Sequence, residues 1–258
     1  MRALGTRVVS LSCAAVVVMW CTATEPLAHH QAPPSAAAGV SVLRRARAGL
    51  GGDAAFARVR SLTVEYSHRW TTNASDEPRA SAFTIGRPDR FSSTVLSFTH
   101  TLVGDAFWQS VDNPESIRET ARRNTRVNFW IWSLVFLLDP PPDAGLVLTS
   151  AGRRTIAGVA GEALDITGPD AFQMTLLFES RSSRPLLFAM PWQTMDSGGG
   201  GGEERPRIAK FFDYRTVAGV LFPYRIEDDI GAFHARLQVT RVQVNAPTVE
   251  RLFAPPRR

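Results

Sequence analysis

Alternation of apolar and polar residues is the commonest pattern in the chain. In residues 61–70, SLTVEYSHRW, Leu62, Val64, Tyr66 and Trp70 fall on one face and Thr63, Glu65, Ser67 and Arg69 on the other, the period of a half-buried antiparallel strand. His68 shares the apolar face, where a hydrogen-bonded core histidine is a simpler reading than a base. A polar turn over 71–79 comes next. Further strands are predicted at 81–87, 90–98 and 106–111, with turns at Gly86-Arg87-Pro88-Asp89 and at Gly104-Asp105. Beyond Pro142 the pattern resumes at 146–150, 153–157, 161–167, 172–179, 185–192, 206–215, 220–228 and 233–244. The last of these starts with Phe233, Ala235, Leu237 and Val239 in phase and ends with Val242 and Val244 out of phase, which predicts a bulge near Thr240.

Helical spacing interrupts this pattern. Val40, Leu43, Ala46 and Leu50 recur as on a helix that Gly51-Gly52 ends, and short helices are predicted at 54–59 and 248–253. The largest interruption is 114–138. Its first part, IRETARRNTRVN, is rich in arginine and solvated; its second, FWIWSLVFLL over 129–138, has nine apolar side chains and one serine. The spacing predicts one helix capped near Asn113 and broken at Asp139-Pro140. Ten residues rise only about 15 Å, too short for a bilayer core that needs about 20 apolar residues. A helix apolar on all sides is buried, in a packed core or as the wall or lid of a greasy cavity. Trp130 and Trp132 stand about 200° apart around it, so one should face the sheet and the other a neighbouring helix or ligand space.

The fold class is therefore α+β. About ten consecutive antiparallel strands form a single large meander that curls, and the helices at the N-terminus and at 114–138 are the fillers for its concave face.

Composition alters this picture little. The 258 residues are 44% hydrophobic and 21% charged, as in globular chains. Of 29 basic residues only Lys210 is lysine. The arginines are scattered rather than run together, which argues against nucleic acid. Arg2 and Arg7, the apolar run Val8–Trp20 and the small residues Thr22-Ala23 read as a secretory signal peptide, cleaved after Ala23 or alternatively after Ala28. Trp20 stands where a lipoprotein box before Cys21 needs a small residue, so a lipid-anchored form is not expected. Cleavage removes both Cys13 and Cys21 and leaves 27 basic against 24 acidic residues. Disulfides, thiolate metal sites and cysteine nucleophiles leave with them. The domain reading is signal 1–23, flexible tether 24–39 and one domain over 40–256. Within that domain SGGGGGEE, 197–204, reads as a flexible hairpin tip, because no Lys-Ser/Thr follows to make a phosphate loop.

In this order and spacing several short pieces resemble the LolA-like lipoprotein-carrier superfamily. They are Ala48-Gly49-Leu50-Gly51-Gly52 ahead of Leu62, Arg87-Pro88-Asp89-Arg90-Phe91, Ile156-Ala157-Gly158 to Asp165-Ile166, and Met174-Thr175-Leu176-Leu177-Phe178 with Arg184-Pro185. The C-terminal pieces are Asp213-Tyr214-Arg215, Val217-Ala218-Gly219-Val220, Phe222-Pro223, Val244-Asn245, and Leu252-Phe253 with Pro255. The resemblance runs over 40–256. It implies an unclosed half-barrel that holds acyl chains for transfer through the periplasm, with an acylated lipoprotein or lipid as partner and a membrane-protein donor or acceptor. It implies a monomer without cofactor. The family's lid arginine has no assignable position here, and the pentaglycine tip and the arginine-rich helix depart from its pattern.

Three functions compete. The first is a non-enzymatic periplasmic carrier or binder, its apolar cavity lined by Tyr66, Trp70, Phe91, Phe107, Trp108, Phe129, Trp130, Trp132, Phe136, Phe178 and Phe222. The second is an envelope interaction or sensor domain, the same half-barrel packed shut. The third is a hydrolase, which the residues disfavour. No Gly-x-Ser-x-Gly elbow is present, His68, His100 and His234 lack metal-ligand spacing, and Glu227, Asp228 and Asp229 read as a solvated strand end.

Overall fold

A computed structural model describes residues 36–70, 77–140, 143–193, 204–230, 233–247 and 249–255. The segment expected to be a signal peptide, most of the expected tether and the pentaglycine run lie outside them. Contacts divide the chain after residue 32, and every described residue belongs to the unit Pro33–Arg258. No helix among the described residues is long and apolar enough to cross a membrane.

Helix α1 (Ala36–Leu50) and the short α2 (Asp53–Ala57) precede five strands: β1 (Ser61–Trp70), β2 (Arg79–Gly86), β3 (Arg90–Val95), β4 (Phe98–Val103) and β5 (Ala106–Gln109). Helix α3 (Glu115–Val135) leads to β6 (Val147–Ile156), β7 (Val159–Thr167), β8 (Gln173–Phe178), β9 (Pro185–Gln193), β10 (Glu204–Val217), β11 (Val220–Ile230) and β12 (Phe233–Val244), and α4 (Val249–Leu252) ends the fold. The twelve strands form one antiparallel sheet in the order β5-β4-β3-β2-β1-β12-β11-β10-β9-β8-β7-β6. It is thus two meanders rather than one, sutured where β1 pairs with β12. That suture carries the expected bulge: Tyr66 pairs with Val239 and Glu65 with Arg241, so Thr240 is left over.

This topology dictates the place of α3. The helix joins β5 to β6, the two outer strands of the sheet, so the chain must travel from one edge to the other. Laid flat, eleven strand spacings would measure about 53 Å, whereas 21 helical residues reach about 32 Å. The unclosed sheet curves, and the helix runs across its concave side against β3 and β4.

Four elements differ from the sequence reading. Strand β4 is hidden in the sequence because its turn, at Leu96 with φ 59°, has no Gly, Asn or Pro to announce it. What reads as two strands, 146–150 and 153–157, is one strand, β6, with a register shift between Ser150 and Gly152. Helix α3 starts at Pro114 as N-cap, with no side-chain cap from Asn113. It stops before the prolines: Leu137 takes φ 53°, its amide donates to Leu134 O at 3.0 Å, and the Leu138 amide donates to Ser133 O at 2.8 Å. Those two bonds are the 5→2 and 6→1 pair of a Schellman turn, which here folds Leu137 and Leu138 back into the core. Helix α1 begins at Ala36 and buries Val42, Leu43, Ala46 and Leu50, while Val40 is 52% exposed. Its face continues through Gly39, where a Cβ would meet Leu148 O of β6 at 2.3 Å.

Candidate functional site

Residues 129–138 are all 6% exposed or less. Trp132 stacks on Phe83 of β2 with centroids 4.9 Å apart and planes 15° apart, and Phe136 touches both Phe83 (5.7 Å) and Phe222 of β11 (5.8 Å). Phe129 stacks on Phe91 of β3 at 5.8 Å. Trp130 leaves the helix on another side and meets Phe172, just before β8, edge-on at 5.3 Å. The apolar end of α3 therefore touches both meanders at once, filling the concave face.

Among the residues expected to line a cavity, Tyr66, Phe91, Phe129, Trp132, Phe136 and Phe222 join one chain of ring contacts, and Phe83 is its hub. Phe83 is missing from the lining expected from sequence, although its alternation with Ile85 in 81–87 carries the signal. Trp130 makes its own contact with Phe172. Phe178 is buried in the same core with Met174 and Leu176. Phe107 packs under His100 at 5.9 Å. Trp108 faces the other way: it pairs with Thr101, whose row continues to Ser92, Thr84 and Thr63 on the outer face. Trp70 pairs with Ala235 at the end of β1.

One polar atom sits inside the apolar run. Ser133 is fully buried, and its Oγ has no hydrogen-bond partner among the described residues. A second polar group closes one end of the concave face. Arg207 of β10 grips Asp228 of β11 in bidentate fashion, Nε to Oδ1 at 2.9 Å and Nη2 to Oδ2 at 2.6 Å, with both side chains only 7% exposed. Asp228 is thus no solvated strand end. Its strand runs on to Ile230, and its partner lies 21 residues earlier. The guanidinium also lies 5.2 Å over Phe188. Nearby, Ser81 bridges Tyr66 and His68. Burial pushes the Tyr66 phenol up to about 12, with the Arg207 charge pulling the other way, and burial followed by the Arg79 charge lowers His68.

An ionic latch holds the exit of α3. Asp139, just past the Schellman turn, is shared by Arg47 of α1 and by Arg87 of the β2–β3 turn, the latter at 2.7 Å. Arg47 Nε also donates to Leu137 O at 2.9 Å, and Arg87 Nη1 reaches Val59 O at 3.4 Å. Three separate segments therefore meet on one carboxylate at the end of the apolar helix.

No family model matches the sequence, and no curated protein is significantly similar to it. Solved structures do match in fold. A LolA superfamily protein from Nitrosomonas europaea superposes with TM-score 0.54 at 12% identity, over 84% of this chain and 97% of that one. A putative outer membrane lipoprotein-sorting protein domain from Vibrio parahaemolyticus gives 0.51 at 10% identity, over 82% and 94%. A DUF1329 family protein from Desulfovibrio piger gives 0.54 at 6% identity, over 84% and 97%. At such identities the likeness is one of fold, and that fold is the LolA-type unclosed half-barrel.

Proposed function

We propose that the protein is a non-enzymatic periplasmic carrier or binder of acyl chains, borne by a lipoprotein or a free lipid, in which the apolar end of α3 occupies the ligand's place until cargo arrives. The carrying observation is residues 129–138, apolar on every side and laid on the concave face of a sheet that has not closed. The unpartnered Ser133 hydroxyl supports it. A buried hydroxyl without a partner costs about 1–3 kcal/mol, a handicap for a permanent core and tolerable for a segment that leaves it. The exchange is also balanced in energy. An acyl chain of about sixteen carbons gains about 13 kcal/mol on burial, which is what burying about five or six large apolar side chains contributes.

A second reading is an envelope protein-interaction or sensor domain with a permanently filled core, and the close Trp132–Phe83 stack favours it. One experiment separates the two. Protein purified from membranes is analysed for bound lipid by native mass spectrometry, then delipidated and titrated with a fluorescent fatty acid. The carrier reading expects bound lipid and saturable uptake. Protein that emerges empty and takes up no fatty acid belongs to the second reading.

A further inference from the structure

At the end of the sheet where β1 begins and β12 finishes lies a cleft of about 700 Å³. Its walls mix apolar residues such as Val59, Pro88 and Val249 with three arginines, Arg60, Arg87 and Arg90, against a single carboxylate, Glu250. Two of the guanidiniums are held in place beforehand. Arg87 is fixed by Asp139 and by the carbonyls at the end of α2; Arg90 lies 4.8 Å over the Phe253 ring and donates to Glu250 at 2.6 Å. Arg60 is different. Its backbone is pinned, since its amide donates to Asn245 Oδ1 at 2.8 Å and its carbonyl accepts from the Arg87 amide at 2.9 Å. Yet its side chain is exposed and makes no ion pair among the described residues.

We propose that this cleft is a second binding site, for a phosphate-bearing ligand whose small apolar body rests on Val59, Pro88 and Val249 while Arg60 and Arg90 hold the phosphate. With Asp139 on Arg87 and Glu250 on Arg90, the guanidinium of Arg60 is left in excess at the cleft, and that balance favours an anion. Guanidinium forks match phosphate oxygens two at a time, which suits donors that arrive from two segments of the chain, the residue before β1 and the β2–β3 turn. The volume is that of an organic ligand site and exceeds the needs of a bare inorganic ion. Glu250 pairs with Arg90 at the cleft wall. Its side chain is 76% exposed, so its carboxylate stays hydrated and yields to a ligand with more oxygens. Among the described residues, the two phosphate-holding ones, Arg60 and Arg90, make no ion pair with Asp139 of the α3 latch, so phosphate binding is tested separately from acyl-chain uptake.

The same phosphate chemistry comes from a soluble ester or from a lipid headgroup, and two probes distinguish them. Glycerol 3-phosphate is titrated calorimetrically, and vesicles of phosphatidylcholine with and without phosphatidylglycerol are tested by co-sedimentation. At least one anionic probe is expected to bind. Arg60→Gln should weaken that binding about tenfold, the loss of one charge-assisted contact, while Glu250→Gln should tighten it by freeing Arg90. Arg44→Gln, the same change of charge on the exposed side of α1, should leave it unchanged, as should fatty-acid uptake in all three variants. Wild-type protein that binds neither probe overturns the proposal. So does an equal loss in Arg60→Gln and Arg44→Gln, which would mark general charge attraction.

Discussion

Ser133 is the residue on which the packing is least content. Its hydroxyl is buried within the apolar run 129–138 and makes no hydrogen bond among the described residues, so Ser133→Ala removes a desolvation cost and adds helix propensity. Stability to denaturant is expected to rise by about 1 kcal/mol, and fatty-acid uptake should slow as the empty state gains. Ionisation gives a second residue-level test. The Tyr66 phenol is raised to about 12 and Tyr214 is raised further, both chiefly by burial. Two of the three tyrosines should then stay un-ionised at about pH 11 until the chain unfolds, which tyrosinate absorbance reads directly. Because the folded state holds those protons longer, stability is full below about pH 10 and falls as pH rises toward 12. His68 and His100 work at the other end. Both are lowered by burial, so the unfolded chain takes up protons that the folded one refuses. Stability is full above about pH 6.5 and declines as pH falls through the lowered values, as a series of denaturant titrations will show.

At the scale of elements, α1 and the latch decide how firmly α3 is held. Helix α1 approaches the sheet through glycine: a Cβ on Gly39 would lie 2.3 Å from Leu148 O, and one on Gly49 2.2 Å from Ser182 O. Gly39→Ala and Gly49→Ala should each cost about 1–3 kcal/mol, the range for overpacking a tight contact, measured by thermal or denaturant unfolding. Asp139→Asn severs α1 and the β2–β3 turn from the exit of α3. Asp139 is half exposed, so the loss of stability should be modest, about 1 kcal/mol or less. The larger effect is expected in hydrogen exchange, with the amides of the last turns of α3 opening faster than those of β1.

How much the sequence discloses at this scale depends on how local each signal is. FWIWSLVFLL is legible because no side of it can face water, and the bulge at Thr240 because a single phase slip displaces every later side chain. The β3–β4 hairpin is illegible because a leucine occupies its left-handed turn position. Asp228 reads as solvent-facing because its neighbours are acidic and its partner, Arg207, is a strand away. The Arg47–Asp139–Arg87 junction joins residues that only the fold brings together, and no pattern along the chain predicts it. For the candidate lining, alternation assigns faces well inside long strands. It fails at Trp108, on the four-residue β5, where one position decides the face.

For the whole molecule, the decisive feature is that one connection between opposite edges of an open sheet also fills its concave face. The edge-to-edge topology requires α3 to cross the bowl, and β5 and β6, at the two ends of the strand order, do not pair with each other. On the proposed carrier reading, the apolar surface stays covered without cargo and one apolar occupant is exchanged for another on loading. The most direct test is the distance between α3 and the outer sheet surface in the two states. The chain after Ala23 has no cysteine, so spin labels can be placed at Arg123→Cys on the exposed side of α3 and at Arg241→Cys on β12, and their separation measured before and after saturation with fatty acid. The expected result is a lengthening of about 5 Å or more, the radius of a helix, in step with uptake. Saturable uptake with an unchanged distance, or no uptake at all, would contradict the displacement of α3 by cargo.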